Sequence, residues 1–123
     1  MTIHTITVPI RRPAMLANDQ RRWHWTKVRD AKADMQSLVW ACAKQALIPP
    51  LPPPIRIQVT WYAPDQRPRD PDGLGPFTKA ALDAIVTAGI IASDSWDHVL
   101  TVASSIHPDP QNPRIEIQLE EAP

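Results

Sequence analysis

Apolar positions along this chain switch between a period of two and a period near 3.6. Residues 2–8 alternate, with His4, Ile6 and Val8 on one side and Thr5 and Thr7 on the other, which predicts a half-buried strand. Residues 9–24 hold two prolines, four arginines and Asn18-Asp19, and read as a basic loop. Thr26 is a candidate cap for the helix that follows. In it Val28, Ala31, Met35, Leu38, Val39, Cys42 and Ala46 recur at helical spacing down to about Leu47, until Pro49 and Pro50 end it. Pro49–Pro54 is a stiff connector. Ile55, Ile57, Val59 and Trp61 then share one face of the clearest strand in the chain. A loop over 63–75 leads to a second helix starting near Leu74 or Pro76. Its stripe is Phe77, Ala80, Ala81, Ala84, Ile85 and Ala88, with Gly89 at its exit. A third strand is predicted over 98–106 and a fourth over 114–119, with Ile115, Ile117 and Leu119 inward. The short link HPDPQNP between them predicts an antiparallel hairpin. The order β-α-β-α-β-β gives an α+β fold, a small mixed sheet with two helices on one face.

At 123 residues with no break in composition, the chain reads as a single domain over 1–123. No apolar run approaches the roughly 20 residues of a membrane span. The first ten residues lack the basic-then-apolar order of a secretory signal. A lone cysteine, Cys42, excludes an internal disulfide and a cysteine-built zinc site. Together these predict a cytoplasmic protein with no membrane partner. The fifteen prolines cluster in loops, and the segments between them stay periodic, which argues for order.

Net charge is zero but unevenly laid out. Arg11, Arg12, Arg21, Arg22, Lys27, Arg29 and Lys32 crowd the first quarter, while Glu116, Glu120 and Glu121 make the far end acidic. A neutral total leaves a local phosphate-binding patch possible. The loop arginines fit that role better than Lys27 and Arg29, which fall on different sides of a helix. A solvated face partnered by Asp30 and Asp34 is the bland alternative. Trp40 and Trp61 are assigned to packing. Trp23 and Trp25 flank His24, and are expected to anchor the basic loop to the core rather than stack on bases. Trp96 is open between core, dimer contact and DNA wedge. His24 and His98 are further candidates as proton carriers, with a DNA contact or plain surface role the alternative for His24 and a packed or hydrogen-bonded role at a strand start the alternative for His98.

The densest chemistry lies in RPRDPDGLGPFTKAALDAIVTAGIIASDSWDHV, residues 67–99. Asp70 and Asp72 stand at i and i+2. Pro71 between them biases Asp70 toward an extended conformation, which would aim both carboxylates the same way. Lys79 and Asp83 are one helical turn apart, and Asp94 follows the helix exit. Two or three carboxylates suit Mg²⁺, which takes oxygen ligands, keeps waters and completes its shell with phosphate oxygens. Lys79 would then stabilise charge on a phosphate or protonate a leaving group. Taken singly, each feature has a structural alternative: D-P-D-G as turn chemistry, Lys79–Asp83 as a surface ion pair, Asp94 as a cap.

As a combination, R-D-P-D, K-A-A-L-D, A-G-I-I and the acidic turn at Asp94 resemble the RusA-type crossover junction endodeoxyribonucleases of phages and prophages. Asn18 followed by Arg21-Arg22 is similar to that family's N-x-R-R segment, and the resemblance spans about residues 3–119. It implies a Mg²⁺-dependent endonuclease, with Mn²⁺ as a substitute and no small-molecule cofactor. It also implies a homodimer that resolves four-way DNA junctions by paired symmetric nicks. By the same resemblance Asp70, Asp72 and Asp94 match the metal-binding acids and Lys79 the essential lysine. Arg69 matches a DNA-contacting residue, with Asn18, Arg21, Arg22 and Lys27 as further DNA-binding candidates. Asp83 matches a recurring acid that supports either the metal ligands or the helix. Two positions depart from the pattern: Gly73 replaces the usual asparagine, and Ser93 and Ser95 flank Asp94 where acids are common. The competing functions are a branched-DNA-binding module with weak or lost catalysis, and a metal-dependent hydrolase of RNA or small phosphoesters.

Overall fold

Residues 2–122 are described by the computed structural model. The strands β1 (Ile3–Val8), β2 (Ile55–Ala63), β3 (Val99–Pro108) and β4 (Arg114–Glu121) form one mixed sheet in the order β1-β4-β2-β3. Helices α1 (Ala17–Arg22), α2 (Trp25–Gln45) and α3 (Gly75–Thr87) complete an α+β fold.

Register explains the core. Inward residues line up in rows across the sheet: Val8, Ile115, Trp61 and Ile106 in one, Ile6, Ile117, Val59 and Ser104 in the next. A third row runs His4, Leu119, Ile57 and Val102. The central members of these rows are buried, and α2 covers them with Ala31, Met35, Val39 and Ala43. From α3 come Phe77, Ala80, Ala81, Ala84 and Ile85. The opposite face carries Thr5, Thr7, Gln58, Glu116 and Gln118, and Ser105 there binds both Gln58 (3.0 Å) and Thr60 (3.1 Å).

The expected hairpin is not formed. β4 pairs antiparallel with both β1 and β2, while β3 runs parallel to β2 on its far side. The link between β3 and β4 arches over the end of β2, where the Asp109 N–H donates to Ala63 O at 2.7 Å. Arg114 clamps the arch, donating to Asp109 at 2.9 Å and Glu116 at 2.7 Å with its guanidinium 3.9 Å from the Tyr62 ring centroid.

Other local expectations also shift. The cap of α2 is His24, whose Nδ1 accepts from the Thr26 N–H at 3.2 Å, so Thr26 lies inside the helix. The helix ends at Gln45, Ala43 replaces Ala46 on its buried stripe, and Leu47 sits beyond it in the left-handed region at φ +54°. A non-glycine residue there costs about 1 kcal/mol. Gly89, at φ +82°, supplies the same turn after α3 without that cost. Trp61 is packed as expected, but Trp40 is 41 % exposed on α2. The residues expected in the basic loop hold the short helix α1. Among the described residues, no helix is long and apolar enough to cross a membrane.

Candidate functional site

The basic segment is anchored from below as well as by one of its two tryptophans. The buried Trp61 indole N–H donates to Arg11 O at 2.9 Å, and Met15 is fully buried. Trp23 packs only partly on the core, and Trp25 is exposed. One turn further, Asp19 fixes α1. It is 6 % exposed, accepts from the Leu16 N–H at 3.0 Å and from Arg12 at 2.5 Å, and has Arg22 at 3.6 Å. Burial alone would raise its pKa, but the Leu16 N–H and the two arginines prevail and hold it below the ordinary value. Sequence reasoning passed over Asp19. Its signal was the i, i+3 spacing from the residue preceding α1, the position from which an acid closes the first turn of a helix.

α1 thereby forms one wall of a cleft of about 440 Å³. Asn18, Arg21 and Arg22 face Arg69, Asp70, Asp72 and Gly73 across it. Asp70 is extended, at φ −98° and ψ 127°, as its following proline requires. Asp72 is not extended. Pro71–Leu74 closes into a 3-10 turn in which the Gly73 N–H donates to Asp70 O at 2.9 Å. The two carboxylates reach one cleft through a tight turn, not through a strand's alternation. Both are exposed.

Arg69 sits at the cleft edge but is already engaged. Its guanidinium donates to Asp65 O at 3.1 Å and Asp65 Oδ1 at 2.7 Å, and lies 4.8 Å from the Trp61 ring centroid. Its role here is to brace the loop that carries Asp70. Arg21 donates to Asn18 Oδ1, which couples two of the DNA-binding candidates on the α1 wall. Lys27 does not line the cleft, and its ammonium lies 4.1 Å from the Trp23 ring centroid.

The remaining acids gather around Lys79. Its ammonium donates to Asp83 at 2.9 Å and to Asp94 at 3.2 Å. Those two hydrogen bonds, Asp83 first, raise its pKa. Lys79 and Asp83 line an adjoining groove of about 500 Å³ with Gln20, Lys32 and Gln36, between α2 and α3. The constellation is thus divided: Asp70 and Asp72 share the arginine cleft, whereas Asp94 is tied to Lys79. Among the described residues, no three His, Cys, Asp or Glu side chains are grouped to hold one metal ion. Two oxygen-donor carboxylates on a common cleft still fit Mg²⁺, which needs only one or two from the protein when water and phosphate supply the rest.

After Asp94 the loop is braced. Ser93 bonds Ser95 at 2.9 Å, Ser95 bonds Asp97 at 2.5 Å, and Asp97 contacts His98 Nδ1 at 3.0 Å. His98 is therefore the hydrogen-bonded histidine expected at a strand start. Trp96 in this loop is 83 % exposed, which removes the core from its three expected roles.

No protein-family model matches this chain, and no curated protein matches it significantly.

Proposed function

We propose that the protein is a Mg²⁺-dependent, structure-selective DNA endonuclease that nicks four-way junctions as a homodimer. The observation that carries this reading is the cleft itself, where Asp70 and Asp72 open onto a groove rimmed by Asn18, Arg21 and Arg22. Carboxylates alone repel a phosphodiester, and the arginines supply the attraction that brings one in. Asp70 and Asp72 would hold the ion, which when bound activates water and stabilises charge on the phosphate. Asp19 keeps the α1 wall in place from beneath. Lys79, its pKa raised, stays protonated across the physiological range and is a poor proton donor. That favours electrostatic stabilisation of the phosphate over protonation of the leaving oxygen. Asp83 and Asp94 hold the lysine cationic, which gives Asp94 a role other than ligating the ion in this arrangement.

The test is cleavage of a labelled four-way junction beside a linear duplex of matching sequence, with Mg²⁺, Mn²⁺ or EDTA. Symmetric, metal-dependent nicks on the junction alone are expected, and Asp70→Asn or Asp72→Asn should slow them at least about a hundredfold. Nicking at the wild-type rate in either variant would overturn the mechanism. The engagement of Asp94 with Lys79 favours one second reading, a branched-DNA-binding module with weak catalysis. It predicts junction binding with steep salt dependence and no product with either metal. Competition by RNA and nucleotides as strong as by junction DNA would instead point to a hydrolase of RNA or small phosphoesters.

A further inference from the structure

β3 is an edge strand ten residues long, paired on one side with β2 and, among the described residues, with no strand on the other. Exposed edges are normally blunted by charges or prolines. Between Val99 and Ile106 the sequence VLTVASSI has neither, and the one bulge, at Leu100, lies near its start. Its inward face is also left bare. Val102 continues the row of Leu119 and Ile57, yet it is 41 % exposed where Ile57 is 2 %, and neighbouring Leu100 is 47 % exposed. The apolar row runs past the limit of the helix layer.

We infer that this edge is the site of self-association, each copy adding its β3 antiparallel to the β3 of the other. A second copy suits the edge because a strand with no ionised side chain meets its own reverse without opposing like charges. The pairing is isologous and closes at two copies. The other edge, β1, is shorter, and joining it to β3 of a neighbour would be heterologous and open-ended. A two-fold axis normal to the sheet, set so that Val102 faces the second copy's Val102, pairs inward residues with inward residues and keeps both helix layers on one side. Ile106 lines the Asp70–Asp72 cleft, so the two clefts open toward the same side. The two Ile106 residues stand about 26 Å apart along the joined strands, from about 3.3 Å per residue. The surface itself needs nothing from the nuclease reading; its use for paired nicking rests on that reading.

Sedimentation velocity over low to high micromolar concentration tests the surface without reference to activity. The wild type is expected to dimerise, and Val102→Glu, which sets two carboxylates beside the axis, to weaken the dimer on the order of a hundredfold. Mixing Val102→Glu with Val102→Lys is expected to restore it. Amide exchange on the wild type, independent of any variant's folding, is expected to slow over Thr101–Ser105 as concentration rises. A monomeric wild type, an undisturbed Val102→Glu dimer, an unrestored mixture or concentration-independent exchange would each overturn the assignment. A dimer lost in Val102→Glu, from a protein that neither binds nor cuts junctions, would uphold the surface and remove the nuclease.

Discussion

Replacing Asp19 separates its charge from its hydrogen bonding. In Asp19→Ala the Leu16 N–H loses its acceptor, a cap loss of about 1 kcal/mol. The Arg12 pair at 2.5 Å is lost as well, but Arg12 is half exposed and regains water, so this adds about 1–2 kcal/mol rather than a fully buried pair's larger cost. The total of about 2–3 kcal/mol corresponds to a melting temperature lower by about 10 °C. Asp19→Asn keeps an oxygen for the Leu16 N–H and should lose only about 1–1.5 kcal/mol. The sign with pH follows from the depressed pKa. A carboxyl whose folded-state pKa lies below its ordinary 3.8 contributes fully above that value and loses the contribution as pH falls through the folded-state pKa. The stability gap between wild type and Asp19→Asn should therefore be complete at neutral pH and close in acid below 3.8. Urea titrations of the three proteins at neutral pH and near about pH 3 measure both effects. Equal losses for Ala and Asn, or a gap that stays constant into acid, would refute this account of α1.

Lys79→Gln removes the cation held by Asp83 and Asp94. Single-turnover nicking of a junction should fall about 10²–10³-fold, while urea stability changes by less than about 0.5 kcal/mol because the side chain is largely exposed. At Gly73 an added Cβ meets nothing within 4 Å and φ is not positive, so Gly73→Asn is accommodated. It should raise stability by about 0.5 kcal/mol through the unfolded chain, which a thermal melt would detect.

Legibility followed periodicity. Ile55, Ile57, Val59 and Trp61, the stripe of α3, and Ile115, Ile117 and Leu119 all point inward as their spacing predicts. Sheet order was less readable, because a short link such as HPDPQNP fits a hairpin and an arch over β2 equally well. One local hint existed: VLTVASSI places serines where a central strand carries large apolar residues, whereas β4 alternates cleanly and takes the centre. α1 was hidden by charge, since a six-residue helix held by one buried acid has no apolar stripe to betray it. Residue type alone would place Trp40 inward, but its position on α2 turns it toward solvent. The grouping of the acids depended on a 3-10 turn and on Lys79 capturing Asp94, neither of which residue spacing encodes. The aspartates and arginines of the cleft could be named from sequence, but the separation of Asp70 and Asp72 from Lys79, Asp83 and Asp94 could not.

The placement of β4 bears on how the molecule assembles during synthesis. β1 and β2 have no contact in the sheet except through β4, which follows every other element in chain order. While Arg114–Glu121 are still missing from a growing chain, β1 has no pairing partner and β2 has only β3. The apolar stripes of α2 and α3 meanwhile have an incomplete floor. Pairings this distant in sequence close slowly, and unpaired edges invite association in the interval. None of the proposed cleft residues belongs to β4, yet the cleft acquires its foundation only when β4 slides between its two neighbours. The final strand is the keystone of a site it does not touch.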